Sequence, residues 1–252
     1  AFIAVSASAT TAPLNPAYRA DEFRFYLEDL NTKALILQDG DDSPARAVAK
    51  ELGIAILSLS ADDDAPAGRF TLEGPNIGAT NAPGPATASD TALVLHTSGT
   101  TSRPKIVPLS HANIAASARN IGTTLGLTAQ DRCLNIMPLF HIHGLIAAVS
   151  ASLAVGASVH CTPGFNALRV FTWFETVTPT WYTAVPTMHQ AILSRAARNK
   201  DTVAKMALRF VRSSSSSLPP PVMHELEDVF GAPVIESYGM TEASHQMTSN
   251  QL

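Results

Sequence analysis

From Ala92 onward, short apolar runs alternate with longer segments of helical period, and this alternation constrains the fold more than any other feature of the chain. It is the sequence form of consecutive βα units, so it predicts an α/β fold of mostly parallel, helix-covered sheets. Strands are expected at Ala92 to His96, Cys133 to Met137, Ala157 to Cys161, Thr180 to Ala184, Leu208 to Arg212 and Pro233 to Ser237, with helices in the intervals. Ser110 stands where it can cap a helix whose Ile114, Ala118, Ile121 and Leu125 recur at steps of four, three and four, and Gly126 ends it. The run from Gly144 to Val155 is apolar all round, as a helix buried on both sides is, and Gly156 supplies a left-handed stop. Pro186 and the Pro219 to Pro221 run suit helix first turns, where the missing N–H costs nothing, and Gly231 stops the second of these helices.

Before Ala92 the same pattern is weaker: a helix near Asp21 to Leu30, strands near Ala34 to Gln38 and Ile54 to Leu57, and a helix between them. Residues 61–89 are rich in Ala, Pro, Gly, Asp and Thr and carry no period, so they read as a long surface connection. This divides the chain into a partial first α/β subdomain with its linker, 1–89, and a second α/β subdomain, 90–252. With 46% hydrophobic and 15% charged residues the chain can bury a large core, which excludes disorder. A net charge of -4 gives no basic excess for a nucleic-acid backbone or an anionic membrane. No apolar run approaches the ~18 residues of a membrane span. Cys133 and Cys161 lie in apolar stretches without CxxC or Cys/His metal spacing, which predicts reduced thiols and an intracellular setting, cytoplasmic or peroxisomal.

Chemistry concentrates after four of the expected strands. Thr97, Ser98, Gly99, Thr100, Thr101 and Ser102 combine small hydroxyl donors with a glycine that lets backbone N–H groups approach an anion, and Pro104 and Lys105 follow. This is either a polyphosphate loop or an ordinary polar turn; neither the G-x-x-x-x-G-K-[ST] nor the G-x-G-x-x-G pattern occurs. Glu242, in a polar turn after the last strand, offers a hard oxygen to Mg²⁺ or is a solvated surface acid. His141 and His143 form an H-x-H pair with no third ligand at a metal spacing. The Ser213 to Ser217 run is a positioned βα loop or a flexible linker.

The string Thr97-Ser98-Gly99-Thr100-Thr101-Ser102-Arg103-Pro104-Lys105 resembles the signature loop of the adenylate-forming superfamily, which includes acyl-CoA synthetases, nonribosomal peptide adenylation domains and firefly luciferase. Phe140-His141-Ile142-His143-Gly144 resembles the Phe-His-x-x-Gly segment of that superfamily, and Tyr238-Gly239-Met240-Thr241-Glu242 its Tyr-Gly-x-Thr-Glu segment, in the same order. The likeness to plant and fungal oxalate–CoA ligases runs over essentially the whole chain. It includes Thr180-Trp181-Tyr182-Thr183-Ala184-Val185-Pro186-Thr187 and Met240-Thr241-Glu242-Ala243-Ser244-His245.

This resemblance implies the N-terminal domain fold of the superfamily, incomplete at both ends, with 90–252 as its ATP-binding part and without the C-terminal hinge domain. The implied reaction is ATP-dependent: a carboxylate attacks the α-phosphorus to give acyl-adenylate and pyrophosphate, and coenzyme A then displaces AMP. Thr97, Ser98, Gly99, Thr100, Thr101 and Lys105 would face the phosphates, Glu242 would hold Mg²⁺, and Thr241 would bond the α-phosphate. Tyr238 would pack on adenine, with Ser215 and Ser216 beside adenine and the acyl group, and His141 would line the acyl pocket. His245 lies where a second carboxylate would need a partner, so His245 and a serine of the 213–217 loop are expected to hold oxalate's distal carboxylate; the alternative is a His that supports the turn. Other readings are a medium-chain or aryl acyl-CoA synthetase, or a non-catalytic nucleotide-binding remnant. The chain alone is expected to form little acyl-adenylate. The superfamily usually has Gly after the loop Lys; Ile106 there would disturb a turn that needs positive φ.

Overall fold

The computed structural model describes residues 1–62, 64–78, 84–97 and 104–252. They form two compact units, 1–86 and 87–252. In the first, strands β1 (Ala34–Gln38) and β2 (Ala55–Ser60) pair in parallel, joined through the helix Pro44–Glu51, and β3 (Thr71–Glu73) adds to β2 antiparallel. Phe23 and Leu27 of the helix Ala20–Asp29 close a small core with Ala45, Val48 and Ala49. β3 corrects the reading of 61–89 as plain connection. Three residues are too few to show a period, and the strand is exposed along its length.

The second unit carries the larger fold. β4 (Thr91–Thr97) and β5 (Lys105–Ser110) form an antiparallel hairpin that puts Thr97 opposite Lys105. A six-stranded sheet follows in the order β11-β10-β9-β8-β6-β7, built from β6 (Arg132–Asn135), β7 (Ser158–Cys161), β8 (Trp181–Ala184), β9 (Phe210–Ser214), β10 (Val234–Met240) and β11 (His245–Ser249). All its pairings are parallel except that of the edge strand β11 with β10. Every residue of β8 and β9 is buried, as expected of central parallel strands with both faces covered. Trp173, Phe174, Tyr182, Val211, Leu226 and Phe230 fill one of these interfaces.

The helix boundaries follow the expected chemistry. Ser110 caps the helix His111–Thr124 by accepting from the Asn113 N–H, while the Asn113 side chain accepts from the Ser110 N–H. Ile121 and Leu125 on the predicted stripe are completely buried. Pro186 and Pro220 open their helices, and Gly231 ends the second in the left-handed region. Two expectations need correction. The apolar run after Gly144 is not an ordinary helix: His143–Ser150 is a π-helix, followed by a short α-helix Ala151–Ala154. Its first turn is crowded, since a Cβ on Gly144 would lie 2.4 Å from the Pro138 carbonyl oxygen. Ile106 needs no left-handed turn either. It lies within β5 opposite His96, where a β-branched residue is at home.

Among the described residues no helix is long and apolar enough to cross a membrane, and both cysteines are free thiols.

Candidate active site

The sheet reverses its direction of growth at β6, whose neighbours are β7 on one side and β8 on the other. Segments leaving the carboxyl ends of strands at such a switch point surround a crevice. Here the segment after β6 carries His143 and the segment after β9 carries Ser215. His143 is buried and its Nδ1 lies 3.0 Å from Ser215 Oγ, while Nε2 lies 2.6 Å from Thr183 Oγ1 on β8. Arg212, also buried, reaches Thr183 and the same imidazole at 3.3 Å each, and donates to Ser237 on β10 and Gln246 on β11. Five elements thus meet on one polar knot beneath the crevice.

His245 adjoins it. Its ring packs edge to face on His143 with centroids 4.9 Å apart, and neither ring nitrogen has a partner among the described residues although the side chain is 2% exposed. Burial, and then the Arg212 charge, push its pKa down to about 3. His143 is held well below the ordinary histidine range by burial first and then by Arg212 and His245. Both rings are therefore neutral near pH 7 and offer hydrogen-bonding groups, not charge.

The backbone around this knot is strained. Ser215, Ser244 and His245 have φ of 73°, 55° and 97°, three of the five left-handed non-glycine residues described. Such conformations persist only where neighbours enforce them. Ser117 of the helix His111–Thr124 anchors the Ser244 carbonyl, and Gly239 on β10 allows the close approach: a Cβ there would lie 1.6 Å from the His245 carbonyl oxygen.

The remaining expected residues fall around this centre. Ser98, Gly99, Thr100 and Thr101 lie outside the described residues. Thr97 and Lys105 stand opposite each other at the ends of β4 and β5, and β5 packs against the single turn Thr241–Ala243 that carries Glu242. Glu242 is exposed and borders a recess of about 230 Å³ with Asn113, Ser117, Asn120 and Gln246. Ser215, Ser216 and Tyr238 line a separate cleft of about 580 Å³ together with Ser217 and Gly239, and Tyr238 is 64% exposed to it. His141 stays outside the knot, exposed with its ring against Phe140, while its neighbour two residues on is the histidine bonded to Ser215. No three His, Cys, Asp or Glu side chains gather as a metal cage among the described residues. One exposed carboxylate fits Mg²⁺, which binds through one or two carboxylates and takes its other oxygens from phosphates and water.

Thr183, Arg212, Ser237 and Gln246 were not singled out from the sequence as site residues. Arg212 had one visible signal, a charged residue between the apolar pair Phe210-Val211 and the serine run that starts at Ser213. The others are small polar residues whose meeting depends on strand register.

The family profile described as AMP-binding enzyme matches residues 1–252. The chain is 44% identical to an oxalate–CoA ligase of Arabidopsis thaliana over all of its length and 49% of that protein. It is 40% identical to an oxalate–CoA ligase of Saccharomyces cerevisiae, over 96% of the chain and 48% of that protein. The chain spans about half the length of the curated relatives it matches. Among solved structures, a malonyl-CoA ligase in a product complex with methylmalonyl-CoA and AMP aligns over 100% of the chain and 51% of its own, at TM-score 0.81 and 25% identity. ATP-bound MatB from Rhodopseudomonas palustris aligns over 96% of the chain and 46% of its own, at TM-score 0.76 and 28% identity.

Proposed function

Since this chain belongs to the AMP-binding enzyme family, we propose that it forms most of the adenylating core of an AMP-forming carboxylate–CoA ligase whose acid is oxalate. One observation carries the reading: the strand that begins at Lys105 packs on the Glu242 turn, while Ser215, Ser216 and Tyr238 line one cleft beside it. A triphosphate between Lys105 and Glu242 with its adenine in that cleft would bring the α-phosphorus close to the knot of His143 and His245. Thr97, Ser98, Gly99, Thr100 and Thr101 would bond phosphate oxygens, with Thr241 on the α-phosphate and Tyr238 against adenine. Mg²⁺ held by Glu242 would neutralise the polyphosphate charge.

The acid would enter with one carboxylate directed at the α-phosphorus and the other toward Ser215 and His245, with His141 at the edge of the acyl end. Two unpartnered nitrogens on a buried imidazole suit a polar acid and would be left unsatisfied by an apolar tail. The carboxylate oxygen attacks the α-phosphorus and pyrophosphate leaves; the thiol of coenzyme A then displaces AMP, so no protein nucleophile is required. The free thiols Cys133 and Cys161 fit a reducing setting, cytoplasmic or peroxisomal.

A screen of oxalate, malonate, acetate, hexanoate and benzoate tests this, reading AMP release by the full protein in the presence of ATP, Mg²⁺ and coenzyme A. Oxalate is expected to give the highest kcat/KM. Preference for hexanoate or benzoate would overturn the substrate assignment.

A further inference from the structure

A guanidinium that no carboxylate among the described residues neutralises lies under the proposed acid-binding end. Arg212 is completely buried, and each hydrogen bond it makes among the described residues goes to an uncharged acceptor. Its Nη1 faces Thr183 Oγ1 and His143 Nε2 at 3.3 Å, and its Nη2 reaches Ser237 Oγ at 2.6 Å and Gln246 Oε1 at 3.1 Å.

A guanidinium N–H only donates, so a lone pair facing it is favoured over another N–H. With a cation 3.3 Å away, His143 Nε2 favours presenting its lone pair to Arg212, which places the ring proton on Nδ1. In that tautomer Thr183 Oγ1 accepts from Arg212 and donates to the same Nε2 at 2.6 Å, so the two donors share its one lone pair. On the other side of the ring, the Nδ1 N–H donates to Ser215 Oγ at 3.0 Å. Ser215 thus spends a lone pair inward, and its hydrogen turns outward. The left-handed backbone at Ser215, φ 73°, holds that hydroxyl exposed at the cleft. The unpartnered His245 nitrogens lie against the same imidazole.

We propose that Arg212 is a positioning residue which, through Thr183 and His143, locks Ser215 as an outward hydrogen-bond donor to the second carboxylate of the substrate. The inference rests on the reading of the substrate as a small dicarboxylate. Its first part, the direction of the relay, does not need the substrate. A protonated His143 would place an N–H against the N–H of Arg212, so the buried cation also keeps the ring neutral. An uncharged glutamine at 212 could accept as well as donate, which would free His143 to flip its tautomer and turn Ser215 into an acceptor.

The first measurement is the histidine ¹⁵N spectrum of the full protein, with His143 assigned by the signals lost in His143→Gln. A protonated Nδ1 and a bare Nε2 are expected; a protonated Nε2 overturns the relay whatever the substrate. The second compares steady-state constants. Ser215→Ala, at an exposed position, is expected to raise the KM for oxalate about ten- to a hundredfold, the effect of losing one hydrogen bond to a charged group, and to raise the KM for ATP less, since Ser216 and Tyr238 remain to line the adenine cleft. An equal rise in both, or none, overturns the assignment of Ser215 to the acid. Arg212→Gln is expected to raise the oxalate KM to a similar degree, with the double variant no worse than Ser215→Ala, and Arg212→Lys to restore the Nδ1 tautomer. Additive losses overturn the coupling; should Arg212→Gln not fold, the tautomer and Ser215→Ala decide. A wild-type protein with a protonated Nδ1 that releases no AMP with oxalate counts against the substrate alone.

Discussion

Replacing Gly239 by alanine tests how tightly the site is built. A Cβ at this position would stand 1.6 Å from the carbonyl oxygen of His245 and 2.4 Å from its carbonyl carbon, where real Cβ contacts do not fall below 3.0 Å. Both atoms are backbone, so β10 and β11 must part by more than an ångström at the rungs Gly239–Gln246 and Met240–His245. Overpacking of this kind costs about 1–3 kcal/mol, and the weakened rung bonds add about 1 kcal/mol. A total of about 2–4 kcal/mol corresponds to a fall in Tm of roughly 5–15 °C for a domain of this size. The same displacement moves His245, and Glu242 with it. A shift of that order at a reacting centre lowers turnover about a hundredfold. Thermal unfolding followed by circular dichroism, together with pyrophosphate exchange into ATP, reads both effects in the full protein. A Tm within 2 °C of wild type with undiminished exchange would refute the reasoning.

Three further outcomes follow from individual contacts. Burial alone would raise the Asp131 pKa, but the Thr128 N–H, the Arg209 guanidinium and the Thr180 hydroxyl outweigh it and hold the carboxyl below its ordinary range. A depressed folded pKa stabilises fully above the unfolded value of about 4 and is lost as pH falls below it. Asp131→Asn should therefore lose about 1–3 kcal/mol at neutral pH and show a flatter loss of stability below pH ~5 in urea titrations; parallel curves for the two proteins would contradict this. Ile121→Ala, a completely buried position on the helix stripe, should lower stability by about 2–5 kcal/mol by chemical denaturation. Tyr238→Ala, losing an exposed ring on the cleft, should leave Tm unchanged and raise the KM for ATP about tenfold, the worth of a stacked ring.

Much of the fold was legible because its signals are local. The Ser110 cap, the glycine stops at Gly126, Gly156 and Gly231 and the prolines opening two helices each act within a turn, and the structure has all of them. The antiparallel edges were harder. β5 does alternate, burying Val107 and Leu109, but Pro108 interrupts the pattern, which an edge strand tolerates. β11, His-Gln-Met-Thr-Ser, has no apolar face and forms because Gly239 lets it close on β10. The π-helix was hidden by an apolar run that reads the same at any helical pitch.

The site divides in the same way. Motif residues such as Lys105, Tyr238 and Glu242 were visible as strings, and the residues beneath them were not. Arg212 meets Thr183, Ser237 and Gln246 only through the register of β8, β9, β10 and β11, a long-range property with no local trace. His143 was visible in the His-x-His pair, but burial separates it from His141, and burial depends on the whole unit.

That this chain forms the adenylating core of an oxalate–CoA ligase is tested most directly by exchange of labelled pyrophosphate into ATP, measured on the full protein with and without oxalate. The expected result is exchange that requires both oxalate and Mg²⁺ and falls about a hundredfold in Glu242→Gln. Exchange without oxalate, or oxalate activation that releases ADP and phosphate in place of AMP and pyrophosphate, would contradict it.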